Sequence, residues 1–200
     1  RFNTIENTTS LPSPTQRPRP KFSVAALPTP ASFEYAGRMG YSVMAIAFVA
    51  AKMRPLLAAY RDAWRAAGHP GSGEVMIAFH MFCDPDGERA RRIAAPLIDN
   101  YLHSLVDAAS DWLDGRVSQD YPGYDKIIAG LRASNAVDQM ATGAAWVGTP
   151  DEIARTITTM QADFGGFEHA SLQVNFNLMP FDEAMASMRL FAREVMPRFA

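Results

Sequence analysis

The feature that most constrains this chain is a regular alternation of strand-length apolar runs with helices whose ends are legible in the sequence. Phe22–Ala26 and Tyr41–Ala47 are short apolar runs. Glu74–Cys83 is apolar almost throughout, as a strand buried on both faces requires. Ser171–Leu178 alternates instead: Leu172, Val174, Phe176 and Leu178 fall on one side, Ser171, Gln173, Asn175 and Asn177 on the other. Helices lie between these runs. Thr29 and Pro30 stand at the N-cap and first position of a helix ending at Gly40. Lys52–Ala67 gathers Leu56, Leu57, Tyr60 and Trp64 on one face and stops at Gly68. Asp84-Pro-Asp-Gly-Glu88 caps a long helix with an apolar stripe through Tyr101 and Leu105. Thr149-Pro-Asp-Glu152 starts a further helix that ends at Gly165-Gly166, and Phe181–Phe199 forms the last one. Strands alternating with helices in this way predict crossover connections and a parallel sheet, an α/β fold. Four such units make either an open sheet or half of a closed eight-stranded barrel, and periodicity does not choose between them.

With 48% hydrophobic and 20% charged residues, 200 residues suffice for one domain with a buried core, and 1–200 reads as one. Residues 1–21 form a lead-in where Pro12, Pro14, Pro18 and Pro20 exclude helix, leaving an extended surface segment, a linker or a proline-rich ligand. Residues 114–143 read as an insertion or loop, with a turn at Tyr121-Pro-Gly-Tyr124 and a short helix at Lys126–Leu131. A net charge of -2 supplies no field for nucleic acid. No run approaches the ~18 apolar residues of a membrane span. The single cysteine, Cys83, excludes an intramolecular disulfide and fits a reducing, cytoplasmic compartment. It lacks an activating neighbour in sequence and reads as structural. His69, His103 and His169 have no metal-ligand spacing, so no metal is expected. Phosphate-binding P-loop, nucleophile-elbow and dinucleotide fingerprints are absent from the sequence.

Several segments, in order, are similar to one family. Pro12-x-Pro14-x-Gln16-x-Pro18-x-Pro20 followed by Phe22-Ser-Val-Ala-Ala26 looks like the lead into a mid-barrel strand of bacterial luciferase-like monooxygenases. Thr29-Pro-Ala-Ser-Phe-Glu-Tyr-Ala-Gly-Arg-Met-Gly40 resembles that family's next turn and helix. Val147-Gly-Thr-Pro-Asp-Glu-Ile-Ala154 resembles a later helix start, and Leu172–Phe176 with Phe191–Pro197 its last strand and closing helix. The resemblance implies the C-terminal part of a (β/α)8 TIM barrel, with about four further βα units upstream. It implies a flavin-dependent monooxygenase or oxidoreductase acting on a small organic substrate with oxygen and reduced FMN supplied by a separate reductase. Coenzyme F420 is the alternative cofactor, and a dimer the expected assembly. A second reading is a non-catalytic flavin-binding or dimerisation half-barrel, whose open edges favour association.

In such a barrel the site lies at the C-terminal ends of the strands. The resemblance places the flavin phosphate at the Thr29, Ala31 and Ser32 turn, where a helix N-terminus attracts anions. A Glu is common in the family where Ala31 stands, so the local bonding differs; the alternative is that Thr29 and Ser32 only cap the helix. Gly40 either allows close approach to the cofactor or only ends that helix. Gln173 and Asn175 are expected to point into the barrel and Asn177 toward its mouth, bonding substrate or flavin, or each other and water. Family members often carry Gly where Asn177 stands, so this residue is expected to narrow the pocket. His80, the one histidine in a strand, is either a core residue bonded to backbone or part of the pocket. The resemblance places the usual catalytic histidine upstream, and no catalytic residue is assigned.

Overall fold

A computed structural model of the chain describes residues 4–9, 11–17, 19–27, 29–47, 50–112 and 124–199, without the side chains of 50–52 and 112. The turn expected at Tyr121-Pro-Gly-Tyr124 lies outside the described residues except for Tyr124. The order is β1 (Ser23–Ala25), α1 (Pro30–Met39), β2 (Ser42–Ile46), α2 (Ala50–Ala66), β3 (Val75–Cys83), α3 (Gly87–Ala108), α4 (Tyr124–Arg132), α5 (Ala136–Ala141), β4 (Ala145–Gly148), α6 (Pro150–Phe164), β5 (His169–Gln173) and α7 (Phe181–Glu194). Short 3-10 turns occupy Ser110–Trp112 and Met196–Arg198. No helix among the described residues is long and apolar enough to cross a membrane.

All pairings are parallel. The sheet centres on β3, which pairs with β2 over Val75–Ala78, with β5 over Met76–His80 and with β4 over His80–Cys83. Register sorts the side chains into two faces, because neighbours across a ladder point the same way. On the outer face Val43 and Ala45 of β2, Val75, Ile77, Phe79 and Met81 of β3, and Trp146 of β4 pack under α1, α2, α6 and α7. Phe79 and Trp146 stack with centroids 4.2 Å apart. Close helix contact is possible because Gly37 has no Cβ, which would lie 2.4 Å from the Tyr60 carbonyl oxygen. The Tyr60 hydroxyl in turn donates to the Tyr41 carbonyl at 3.0 Å and accepts from the Glu74 amide at 3.1 Å, tying the starts of β2 and β3 together.

The inner face is covered over only part of its length. Phe82 and Ala145 lie beneath α3, α4, Phe176 and Met179 in a second apolar cluster. Toward the other end Ser23, Ala25 and Met44 are exposed, and Met76 and Ala78 half-buried.

Three sequence expectations change. A fifth strand, β4, is present; its four residues are too few to show a period. The alternating run Ser171–Leu178 is strand only to Gln173, because the Cys83 amide that would extend the ladder donates to the Ser187 hydroxyl at 2.7 Å. Phe176 consequently leaves the outer face and joins the inner cluster. The 114–143 stretch holds a second helix besides the expected one: α5, opened by the reciprocal Asn135–Asp138 capping box.

Candidate functional site

Parallel strands put all their C-terminal ends on one rim. The turns that follow β1, β3, β4 and β5 therefore share it: Thr29–Ser32, Asp84–Arg89, Thr149–Glu152 and Asn175–Glu183.

At the first turn the Thr29 amide donates to the Leu27 carbonyl and the Ser32 amide to the Thr29 carbonyl at 3.0 Å. Thr29 occupies the N-cap position, yet its hydroxyl makes no capping bond, and no acid lies in the first turn of α1. The other helix starts on this rim differ. Asp86 caps α3, Thr149 and Glu152 form a reciprocal box on α6, and Asp182 and Glu183 stand in the first turn of α7. Each of those starts has carboxylates that repel an anion; α1 leaves its positive end and the Thr29 hydroxyl available. Ala31 is exposed and Ser32 half-buried beside it.

Gly40 lies at the other end of α1, about 15 Å along the helix axis. It precedes β2, on the N-terminal rim of the sheet. Its φ of 65° closes the helix, and the space its Cβ would fill belongs to the His69 ring, 2.9 Å away. The structure does not bring Gly40 together with Thr29 and Ser32.

His80 and Gln173 are register partners on adjacent strands, so both side chains lie on the inner face. His80 is 3% exposed. Its ring meets Tyr101 of α3 edge-on at 4.7 Å and Phe176 at 5.0 Å, and its Nε2 has no hydrogen-bond partner. The alternative of a backbone-bonded core histidine is thus not met at Nε2. Burial pulls its pKa down to about 4, so the ring is neutral near pH 7. Asn175 is exposed, and Asn177 adopts φ 53° with its own Oδ1 accepting from the Leu178 amide at 2.8 Å. Neither asparagine is on the strand. A left-handed φ suits Gly or Asn, which gives Asn177 a conformational role in the turn. Cys83 is buried, with burial pushing its thiol up to about 12, so it is unreactive near neutrality.

One network on this rim escaped sequence reading. Arg89 of α3 binds the Asp84 carboxylate and, at 2.5 Å, that of Glu183 on α7. Asp84 also accepts from the Asp86 amide at 2.9 Å. Arg89 and Glu183 are separated by 94 positions, so no local signal joins them. Among the described residues no group of three or more metal-ligating side chains occurs.

The sequence profile of luciferase-like monooxygenases matches residues 1–165. No curated protein matches the chain. Among solved structures, monooxygenase RslO1 from Streptomyces bottropensis is 32% identical, superposing with TM-score 0.72 over 100% of this chain and 54% of its own. The oxygenating constituent of 3,6-diketocamphane monooxygenase from Pseudomonas putida, a type II Baeyer-Villiger enzyme solved with FMN, is 18% identical with TM-score 0.68, covering 91% of this chain and 50% of its own. The coenzyme F420-dependent tetrahydromethanopterin reductase from Methanopyrus kandleri is 15% identical with TM-score 0.57, covering 90% and 51%. The chain thus spans about half the length of these proteins, and its parallel strands and helices are those of part of a (β/α)8 barrel. With the ordered motifs, the profile over most of its length and this fold in agreement, the chain belongs to the luciferase-like monooxygenase family.

Proposed function

We propose that the chain is part of a flavin-dependent monooxygenase or oxidoreductase that uses reduced FMN and oxygen on a small organic substrate. The observation that carries this reading is the start of α1: a helix N-terminus on the C-terminal rim with no acid in its first turn and an uncommitted Thr29 hydroxyl. Those features fit a phosphate group, as on FMN or coenzyme F420. Thr29 and Ser32 would hold it, with the exposed Ala31 leaving the approach open. When bound, the flavin supplies the redox chemistry. The residues present here bind and orient. Thr29 and Ser32 would anchor the phosphate end of the cofactor. Gln173 and His80 offer polar contacts on the inner sheet face, with Asn175 and Asn177 on the adjoining rim turn. A separate reductase would deliver reduced FMN, and a dimer in the cytoplasm is the assembly and compartment we infer; the buried Cys83 fits a reducing setting.

FMN and coenzyme F420 titrated separately into the protein, with quenching of their fluorescence as the readout, test the cofactor. FMN binding weakened by inorganic phosphate is the expected result. Binding of coenzyme F420 alone reassigns the cofactor, and binding of neither removes the reading.

A further inference from the structure

Four polar or charged residues are buried among the described ones, and three are satisfied. Asp84 holds Arg89 and the Asp86 amide, Gln139 donates to Ser134, and Ser187 accepts from the Cys83 amide. His80 is the exception, with Nε2 unbonded. The other buried nitrogens without partners, Arg61 Nε and Trp146 Nε1, belong to the outer helix-covered layer. A buried polar atom without a partner is uncommon and calls for a ligand, a water or a functional reason. Gln173 stands in register beside it, on the same face and about 5 Å away across the ladder.

Around this pair the inner face is mostly apolar: Met76 and Ala78 lie toward one end of β3 and Phe82 toward the other, with Ser171 and the exposed His169 of β5 in register beside Ala78 and Met76. The half-buried Tyr101 lies edge-on against the His80 ring, and the half-buried Met76 and Ala78 adjoin it on the same face. A neutral imidazole and a carboxamide hydrogen-bond well to uncharged oxygens, whereas a carboxylate would have to shed its water for no countercharge.

We propose that His80 and Gln173 form the polar end of the substrate site, binding an uncharged carbonyl or hydroxyl oxygen on an otherwise apolar substrate whose body lies over Met44, Met76 and Ala78. This rests on the flavin-enzyme reading above and names the substrate class for it.

The test uses the 200-residue chain with naphthalene, 2-naphthol and 2-naphthoate as probes, with and without FMN. FMN affinity is measured on the same samples, so failure of the cofactor reading registers separately from failure of the substrate site. The expected result is 2-naphthol bound about tenfold more tightly than naphthalene, as one good hydrogen bond gives, with 2-naphthoate weakest. His80→Leu and Gln173→Leu each remove that preference, read as the ratio of 2-naphthol to naphthalene affinity in the same variant. On the wild-type chain, 2-naphthol shifts the His80 imidazole ¹⁵N resonance and naphthalene does not. This measurement and Gln173→Leu decide the matter should His80→Leu fail to fold. A wild-type chain without the preference, a preference kept in the variants, tightest binding of 2-naphthoate, or an unmoved ¹⁵N resonance overturns the proposal.

Discussion

The Cys83 amide donates to the Ser187 hydroxyl at 2.7 Å, joining the last residue of β3 to the middle of α7. Both residues are 2% exposed. The bond replaces the rung that Asn175 would otherwise supply and so turns the chain out of the sheet after Gln173. Ser187→Ala leaves a buried amide without a partner and is expected to cost about 1–3 kcal/mol in urea unfolding. An unchanged midpoint would mean that the amide finds another acceptor. Cys83 should stay unreactive toward a thiol reagent in the folded protein, since burial raises its pKa to about 12.

Arg89 joins the β3 and β5 turns through Asp84 and Glu183. The Asp84 side chain is 12% exposed and that of Arg89 37%, so the Arg89–Asp84 pair is stronger than a surface pair but partly screened. Arg89→Leu should destabilise by about 1–3 kcal/mol, because it leaves Asp84 buried without its cation. Arg89→Lys should recover only part of this, since an ammonium cannot span two carboxylates as a guanidinium fork does. Thermal unfolding of the three proteins checks the order.

His80 gives stability a specific pH dependence. Its folded pKa is about 4 against 6.5 unperturbed. Between these values the unfolded chain binds a proton that the folded one does not, so stability falls as pH drops from 6.5 toward 4. The full shift corresponds to roughly 3 kcal/mol. His80→Leu removes this component while leaving that of the carboxylates. Unfolding free energies at pH 7 and pH 4.5 should therefore differ less in the variant, and equal slopes would contradict the burial of a neutral ring.

Gly40 ends α1 at φ 65°, and its absent Cβ makes room for His69. Gly40→Ala should cost about 1–2 kcal/mol from the left-handed backbone, with the ring contact added to it. Because Gly40 sits on the N-terminal rim, FMN affinity should not change. A large loss of affinity with stability intact would move the cofactor site.

Much of this architecture was legible because caps are local. Thr149 with Glu152, Asp86, Gly40 and Gly165 mark helix ends within four residues, and the helices begin or stop where those residues stand. Strand ends were not legible for the converse reason. Gln173 is the last residue of β5 because of Ser187, 14 positions away and on a helix, and a clean alternation through Leu178 contains no sign of it. The short β4 is held by pairing with β3 across more than 60 positions. The candidate site divides in the same way. Thr29 and Ser32 stand as candidates on a helix start together with the family resemblance, and Gln173 on its strand face. The unbonded state of His80 Nε2 and the Arg89 bridge depend on α3, Phe176 and α7 coming together.

Two threonines at equivalent positions on the same rim separate capping from ligand binding. Thr149 caps α6: its Oγ1 accepts from the Glu152 amide at 3.3 Å, and Glu152 Oε2 accepts from the Thr149 amide at 2.8 Å. The amide bond also holds the Glu152 carboxyl below its ordinary pKa. Thr149→Val should lose about 1 kcal/mol of stability, as removal of an N-cap does, with FMN affinity unchanged. Thr29 stands before α1 with the same Thr-Pro sequence and no capping bond. Thr29→Val should therefore leave the unfolding midpoint nearly unchanged and weaken FMN about three- to tenfold through loss of a hydroxyl contact to phosphate. Riboflavin, which lacks the phosphate, should bind Thr29→Val and the wild-type chain alike. If Thr29→Val destabilises as Thr149→Val does, its hydroxyl is a cap after all; if riboflavin weakens in parallel with FMN, Thr29 touches the ring system and not the phosphate.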